Sequence, residues 1–423
     1  MNKRNENRRG YKKTRAGWIP EEWDCQTLKS LCFNNGEYGA NASAISYSTN
    51  HPRYIRITDI DGDGNLLDHD IKSVDSTVSQ DYILNEGDFL FARSGATVGK
   101  TYLHRADGYI YAYAGYLIRF IPNPKKLTGI YLKAFTSTTR YWYWVQTTIR
   151  AGAQPNINAT EYASLYIPLP PLPEQKKIAE ILSSWDRAVE QVNKLIEIKQ
   201  RLKKGLMQQL LTGRLRLPKF GKPVQKKGEL PDGWHTCKLG AYFKERRETN
   251  PNLPLLSITS DRGVIPRDEV ERKDTSNADK SNYKRIAVGD IGYNTMRMWQ
   301  GVSSVSGLEG IVSPAYTICT PREGYSSKYF GYLFKYTPMI HLFYRFSQGL
   351  VSDTLSLKFY LFSQIKIRVP SEAEQIQIVK VLYNCDKEID LLRQKKEALR
   401  EQKKGLMQKL LTGEIRHPDF VKE

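Results

Sequence analysis

The chain has 423 residues, five cysteines and a formal net charge of +19 at pH 7, with a sequence pI near 9.5. The length suits two or three domains with proper cores, and the charge calls for a polyanionic partner, either nucleic acid or an anionic membrane surface. No apolar run approaches the ~20 residues of a membrane span, no signal-peptide apolar region opens the chain, and Cys25, Cys32, Cys237, Cys319 and Cys385 form no CxxC pair or disulfide framework. A soluble, reduced, cytoplasmic protein with nucleic acid as its partner is therefore expected.

Residues 1–16 carry Lys3, Arg4, Arg8, Arg9, Lys12, Lys13 and Arg15 against one acid, Glu6, without apolar periodicity. They read as a flexible basic arm, touching phosphates or simply solvated. Residues 17–172 have globular composition and open with Ile19-Pro20-Glu21-Glu22-Trp23. Strand-like runs at Tyr54–Ile57, Phe89–Ala92 and Tyr116–Phe120 alternate with turn clusters such as Asp61-Gly62-Asp63-Gly64. Ile130 to Val145 reads as one helix rich in Tyr and Trp, and Tyr166 to Pro173 as an extended lead-in. The module is mixed α/β (α+β).

Residues 173–213 read as a long helix. Ile178, Leu182, Trp185, Val189, Val192 and Ile196 form a heptad seam, and Gly213 closes a basic last turn. A basic linker, 214–229, leads to a second globular module, 230–370, whose Leu230-Pro231-Asp232-Gly233-Trp234 echoes the start of the first. Residues 371–413 repeat the helix, with Ile378, Leu382, Cys385, Ile389 and Leu392 in the seam, and a tail, 414–423, ends the chain. The tail of the helix repeats almost letter for letter: KKGLMQQLLTG, Lys203 to Gly213, returns as KKGLMQKLLTG, Lys403 to Gly413, an offset of 200 residues. Glu174-Gln175 returns as Glu374-Gln375, and Arg216, Pro218 and Phe220 as Arg416, Pro418 and Phe420. The chain is a tandem duplication. Two such helices, each roughly 55–60 Å long at 1.5 Å per residue, would expose their seams if isolated. They are expected to pair as an antiparallel coiled coil, with an internal pseudo-two-fold repeat. Lys199 and Lys396 interrupt the seam and could fix its register.

Catalytic motifs are poorly supported. Gly95 to Thr101 resembles a phosphate-cradling loop but has three residues between its glycines where four are needed, and Ser94 stands where the first glycine belongs. An NTP-dependent DNA enzyme using that loop is the alternative reading. No HExxH or GxSxG occurs. Asp59, Asp61 and Asp63 resemble part of a calcium loop, yet Lys72 takes the place of its twelfth-position Glu. No catalytic residue and no metal site is expected. Arg93, Ser94, Lys100, Arg105, Arg150, Gln154, Asn156 and Asn158 in the first module, and Arg297, Gln300, Arg345, Gln348 and Ser352 in the second, lie in Gly-containing loops. Arg pairs with guanine, and Asn or Gln with adenine, from such positions. For each of them a solvated surface role is the competing reading. A coiled-coil scaffold that reads no sequence is a further alternative.

In combination, Pro168-Leu-Pro-Pro-Leu-Pro-Glu-Gln-Lys-Lys-Ile178, the paired KKGLMQ-LLTG tails, Gly87 to Lys100, and Asn294 to Gly301 with Ile311 to Tyr316 resemble the specificity subunits of type I restriction-modification systems. The resemblance covers essentially the whole chain after the basic arm. Two details depart from it: the second lead-in is Val369-Pro370-Ser371-Glu372-Ala373-Glu374, and the arm is extra. The resemblance implies two target-recognition domains held apart by the coiled coil, each reading half of a bipartite site in double-stranded DNA. It implies modification (methyltransferase) subunits, which carry S-adenosylmethionine and methylate adenine, docked on the helices. Restriction (endonuclease and translocase) subunits would bring ATP and Mg2+. The chain itself would need no cofactor.

Overall fold

The computed structural model describes residues 5–149, 155–224, 226, 229–259, 262–271, 276–323, 325–351 and 354–421. It divides into two compact units, one of Met1–Asn193 with Lys395–Glu423, the other of Lys194–Gln394. Each unit therefore holds one globular module, the start of the helix that follows it, and the end of the other long helix.

In the first unit, an antiparallel sheet orders the strands Glu37–Tyr38, Leu117–Phe120, Phe89–Ala92 and Thr101–Leu103. Phe89 to Ala92 are all buried because helices cover one face and a second sheet lies against the other face. That second sheet runs Tyr111–Tyr113, Arg53–Ile55, Lys72–Ser73 and Ile45–Ser46, with its first pair parallel. The single helix expected from Ile130 to Val145 is two, Gly129–Thr136 and Thr139–Thr148. The break has a physical cause. Thr138 is buried, and its hydroxyl accepts the Tyr141 N–H at 3.2 Å, which makes it the N-cap of a new helix. Tyr141 is core, whereas Tyr143 is exposed.

The second unit repeats the four-stranded sheet as Phe243–Glu245, Tyr316–Pro321, Ile291–Asn294 and Ser303–Val305. Around it the structure differs: Leu256–Ile258 pairs with Val264–Pro266, and Lys284–Ile286 with Gly310–Val312. In both units the lead-in is a strand. Tyr166–Leu169 pairs with Asp24–Thr27, and Lys366–Val369 with His235–Lys238.

The long helices run Leu172–Leu210 and Glu372–Leu411. Within each unit their segments pair antiparallel. In the first, Lys403 bonds Asp186 at 2.5 Å and Lys396 bonds Asn193 at 2.6 Å. In the second, Lys203 bonds Asp386, and Lys199 bonds Glu388 at 2.6 Å. As one number rises the other falls. The lysines that interrupt the seam thus find polar partners across it, the register-fixing use of a polar core position. Ile178 and Leu182 bury with Met407, Leu410 and Leu411 in the first core, and Ile378 and Leu382 with Leu210 and Leu211 in the second.

A duplicated ion pair ties helix, tail and module together. Glu174 is buried and accepts from Arg416 at 2.8 and 2.9 Å and from Trp23 Nε1 at 3.0 Å. Glu374 is buried and accepts from Arg216 at 3.0 and 2.8 Å and from Trp234 Nε1 at 3.1 Å. Beside them, the Gln175 and Gln375 amides donate to the carbonyls of Pro170 and Pro370 at 2.9 and 3.0 Å. Gly413 and Gly213, at φ +68° and +71°, press on Pro20 and Pro231, where a Cβ would approach to 2.5 and 2.4 Å. These contacts explain why IPEEW, LPDGW, the EQ pairs and the tail arginines all occur twice.

The basic arm is not a loose tail. From residue 5 it is folded: Tyr11–Thr14 pairs with Gly17–Pro20, Asn5 donates to the Thr412 carbonyl at 3.0 Å, and Arg8 to the Glu414 carbonyl at 3.0 Å. Composition could not show this, because the partners lie some 400 residues away in sequence.

Candidate nucleic-acid interface

In the first unit, Arg93 follows the buried strand Phe89–Ala92 and its backbone is held on two sides. Its N–H donates to the Tyr116 carbonyl at 3.0 Å, and its own carbonyl accepts from Ile157 at 2.9 Å. The guanidinium lies over the Tyr38 ring, 4.7 Å from the centroid, and its buried Nε has no hydrogen-bond partner among the described residues. Tyr38 and Tyr116 are exposed beside it, at 42% and 60%. An arginine fixed at its backbone and stacked on an aromatic face suits an acceptor that takes two donors, such as a guanine edge or a phosphate.

The other residues of that loop divide. Ser94 is buried and forms a backbone bridge with Asn156, and Gly95 donates to the Pro155 carbonyl at 3.0 Å, so Arg93, Ser94 and Asn156 do come together. Asn158 has its side-chain oxygen committed to a structural role, which leaves its amide N–H groups as donors. Its side chain caps the helix Ala159–Ala163, accepting from Glu161 N–H at 2.9 Å while Glu161 reciprocates at 2.8 Å. The Lys100 amine is tied to the fold, donating to the Ile60 carbonyl at 2.8 Å. Gly95–Thr97 forms a short 3-10 turn that ends before Lys100, whereas a phosphate-cradling loop runs on into a helix. Arg105 is exposed past the strand Thr101–Leu103. Arg150 and Gln154 lie outside the described residues.

The calcium-like turn is an Asx turn. Asp61 accepts from the N–H groups of Asp63 and Asn65 at 2.9 and 2.8 Å, and Lys133 donates to Gly64 O and Asn65 Oδ1 at 3.0 and 3.1 Å. Burial lowers the Lys133 pKa.

In the second unit, three segments are fastened together. The turn Met298–Gln300 packs on the helix Thr337–Phe346, with Trp299 edge-on to Tyr344 at 6.3 Å between centroids. Leu357 N–H donates to the Thr295 carbonyl at 2.9 Å, which fastens the segment following the helix to the same turn. Arg297, Gln300, Arg345 and Gln348 are all exposed on these segments. Gln348 Oε1 accepts from Tyr360 OH at 2.9 Å, leaving its amide N–H groups as the donors for a ligand. Ser352 lies outside the described residues. Sequence reasoning missed Tyr38, Tyr116, Met296, Tyr344 and Tyr360, all more than 40% exposed, because nothing in their local sequence separates a surface aromatic or Met from a core one.

Among the described residues no helix is long and apolar enough to cross a membrane, and no cluster of three or more His, Cys, Asp or Glu could hold a metal.

The comparisons with known proteins agree in one direction. The family model for the type I restriction modification DNA specificity domain matches residues 20–200. The MjaX type I restriction enzyme specificity subunit of Methanocaldococcus jannaschii is 30% identical over 434 residues, which cover 96% of each chain. The MjaVIII specificity subunit of the same archaeon is 27% identical over 355 residues, covering 80% of this chain and 81% of that protein. A solved chain, from work on complex assembly and conformational transition of the type I R-M system, matches 94% of this chain and 99% of its own length with a TM-score of 0.56. At 16% identity, that likeness concerns the fold. This chain belongs to the family of type I restriction-modification specificity subunits.

Proposed function

We propose that the chain is the sequence-reading, non-catalytic subunit of a cytoplasmic restriction-modification complex, and that each globular module reads one half of a bipartite site in double-stranded DNA. The observation that carries this reading is the pattern of sameness and difference between the modules. The four-stranded sheet, the lead-in strand and the Glu–Arg–Trp anchor recur, while the structure around the sheet and the exposed loops does not. Arg93 on Tyr38 serves the first half-site, and Arg297, Gln300, Arg345 and Gln348 serve the second. Lysines and arginines elsewhere on a chain of net charge +19 supply phosphate affinity without sequence choice. The paired long helices offer the docking surface for two modification subunits, which would hold S-adenosylmethionine. Restriction subunits would supply ATP and Mg2+ chemistry. The NTP-site alternative is not favoured, since the Lys100 amine is bonded to the fold and the homologues are specificity subunits.

Exchange of residues 17–172 for the equivalent module of a relative tests the reading. Mapping of methylated adenines in host DNA should then show one half-site changed and the other kept. Two changed half-sites, or none, would overturn independent reading by the modules.

A further inference from the structure

The loop after the helix Thr337–Phe346 carries an apolar dipeptide that the fold leaves in water. Leu350 is fully exposed at 101%, and Val351 is 60% exposed. Exposing one leucine is ordinary, but this pair sits on a loop that is braced. Gln348 and Ser356 exchange two backbone bonds at 2.9 and 2.8 Å across its base. Above them, Thr354 N–H donates to the Val351 carbonyl at 3.0 Å, and Val351 N–H donates to the Thr354 hydroxyl at 3.2 Å. Tyr360 OH holds Gln348 from the side at 2.9 Å. The two strands of the loop run so close at Gly349 that a Cβ there would come within 2.6 Å of the Thr354 carbonyl. The result is a projection with a braced base that presents Leu350 and Val351 to solvent.

The exposed described residues around it include cations and amide donors as well as the aromatics Tyr344 and Tyr360. Arg345 lies one turn before the loop on the helix, Arg297 lies on the turn packed against that helix, and Gln348 lies at the base of the loop; all three are exposed. A hydrophobic protein partner would bury those charges at a cost. Duplex DNA satisfies both requirements, because its phosphates meet the arginines while its stacked bases offer an apolar interior. Side chains such as leucine enter base steps as wedges, part the stack and kink the duplex.

We propose that the Leu350-Val351 tip is a wedge that inserts into a base step within or beside the half-site read by the second module. The proposal rests on the reading of that module as a DNA reader and adds how it engages the duplex. Burial of Leu350 between bases gives affinity, and the sequence dependence of unstacking adds choice at a step that no donor or acceptor touches.

The experiment uses the full chain assembled with its modification subunits and duplexes carrying the mapped site, with 2-aminopurine in place of adenine at successive positions of the second half-site. Fluorescence should rise at one step on binding of the parent chain. Leu350→Ala should abolish the rise and weaken specific binding by about ten-fold, the scale of one buried aliphatic side chain. Non-specific binding should be unchanged, and Leu350→Met should keep the rise. Absence of unstacking at every position, with Leu350→Ala binding as tightly as the parent, overturns the wedge while leaving the module's reading intact. Loss of the modification subunits rather than of DNA in Leu350→Ala also overturns it, by making the tip a protein contact. A second half-site that survives exchange of the second module would instead refute the underlying reading.

Discussion

The two units solve the same structural problem with different tolerance for change. At the turn Gly87-Asp88 and its counterpart Gly289-Asp290, the aspartate accepts a backbone N–H three residues back, from Asn85 at 2.9 Å and from Ala287 at 2.8 Å. Both aspartates are buried beside an arginine, but the arginines come from different strands. In the first unit it is Arg119, on the strand Leu117–Phe120, which also meets Glu37 across the strand pair. In the second it is Arg246, just past the strand Phe243–Glu245, bonded to Asp290 at 2.7 Å. The charge has moved from one strand to its neighbour while the buried carboxylate stayed. Anchors whose partners are backbone or buried carboxylate recur almost bond for bond; surface positions around them do not. What is preserved is the set of groups that would be costly to leave unpaired.

The anchor pair offers the largest test of that rule. The Arg216–Glu374 side chains are both 2% exposed, whereas Arg416 is 12% exposed and shares itself with Glu22. Arg216→Ala should destabilise the second unit by about 3–5 kcal/mol, because it strands a buried carboxylate. Arg416→Ala should cost the first unit less. Calorimetric unfolding of both variants would expose the difference, and equal losses would mean that burial does not set the cost. A smaller effect is expected at Arg93. Arg93→Ala should remove about 1–3 kcal/mol of discrimination at one base pair of the first half-site, leaving the second half-site unaltered when binding to single-substituted duplexes is measured.

The smallest effect concerns pH. The backbone N–H of His104 donates to the Asp88 carbonyl at 2.8 Å, and that of Ser306 to the Asp290 carbonyl at 2.7 Å, so the first unit carries a buried imidazole where the second carries a hydroxyl. Burial lowers the His104 pKa below 6.5, against the opposing charges of Asp88, Glu86 and Asp107. The unfolded chain then takes up the proton first. Stability from this group is present above the ordinary histidine pKa and is lost as pH falls through it, by at most about 1.4 kcal/mol per pH unit. Urea midpoints from pH 7.5 downward should fall with this extra slope in the parent, and His104→Ser should remove it.

Much of this architecture was readable in the letters, and the limits have a physical shape. The long helices are fixed by periodicity, which is a local property, and their pairing by the need to cover the seam. The strand Phe89–Ala92 matches its apolar run residue for residue. The helix break at Thr138 was missed because a threonine cap and an interior threonine look alike until the chain turns. The readers were only partly legible. Lys100 and Asn158 have the right chemistry in the right loops, but the Lys100 amine is tied to the Ile60 carbonyl and the Asn158 side-chain oxygen to Glu161, and only three-dimensional partners reveal that. The reverse error hid Tyr38, an ordinary tyrosine in sequence that becomes a platform once Arg93 lies over it.

Residues 5–11 are stitched to residues 412–414. Asn5 and Arg8 bond the carbonyls of Thr412 and Glu414, and the Tyr11 hydroxyl bonds that of Gly413. At the other anchor, Gly213 and Arg216 make the same junction with a covalent connection running on to Pro231 and Trp234. A peptide joining residues 5 and 421 would play the part at this anchor that 217–230 plays at the other. A chain with a short peptide joining its ends, opened instead within 221–230, would keep every anchor while presenting the modules in reversed order. Segments that meet as residues 5–11 and 412–414 do are the usual condition for such rewiring to be tolerated. Continuity of the backbone is, in this molecule, a convenience of synthesis more than a requirement of its architecture.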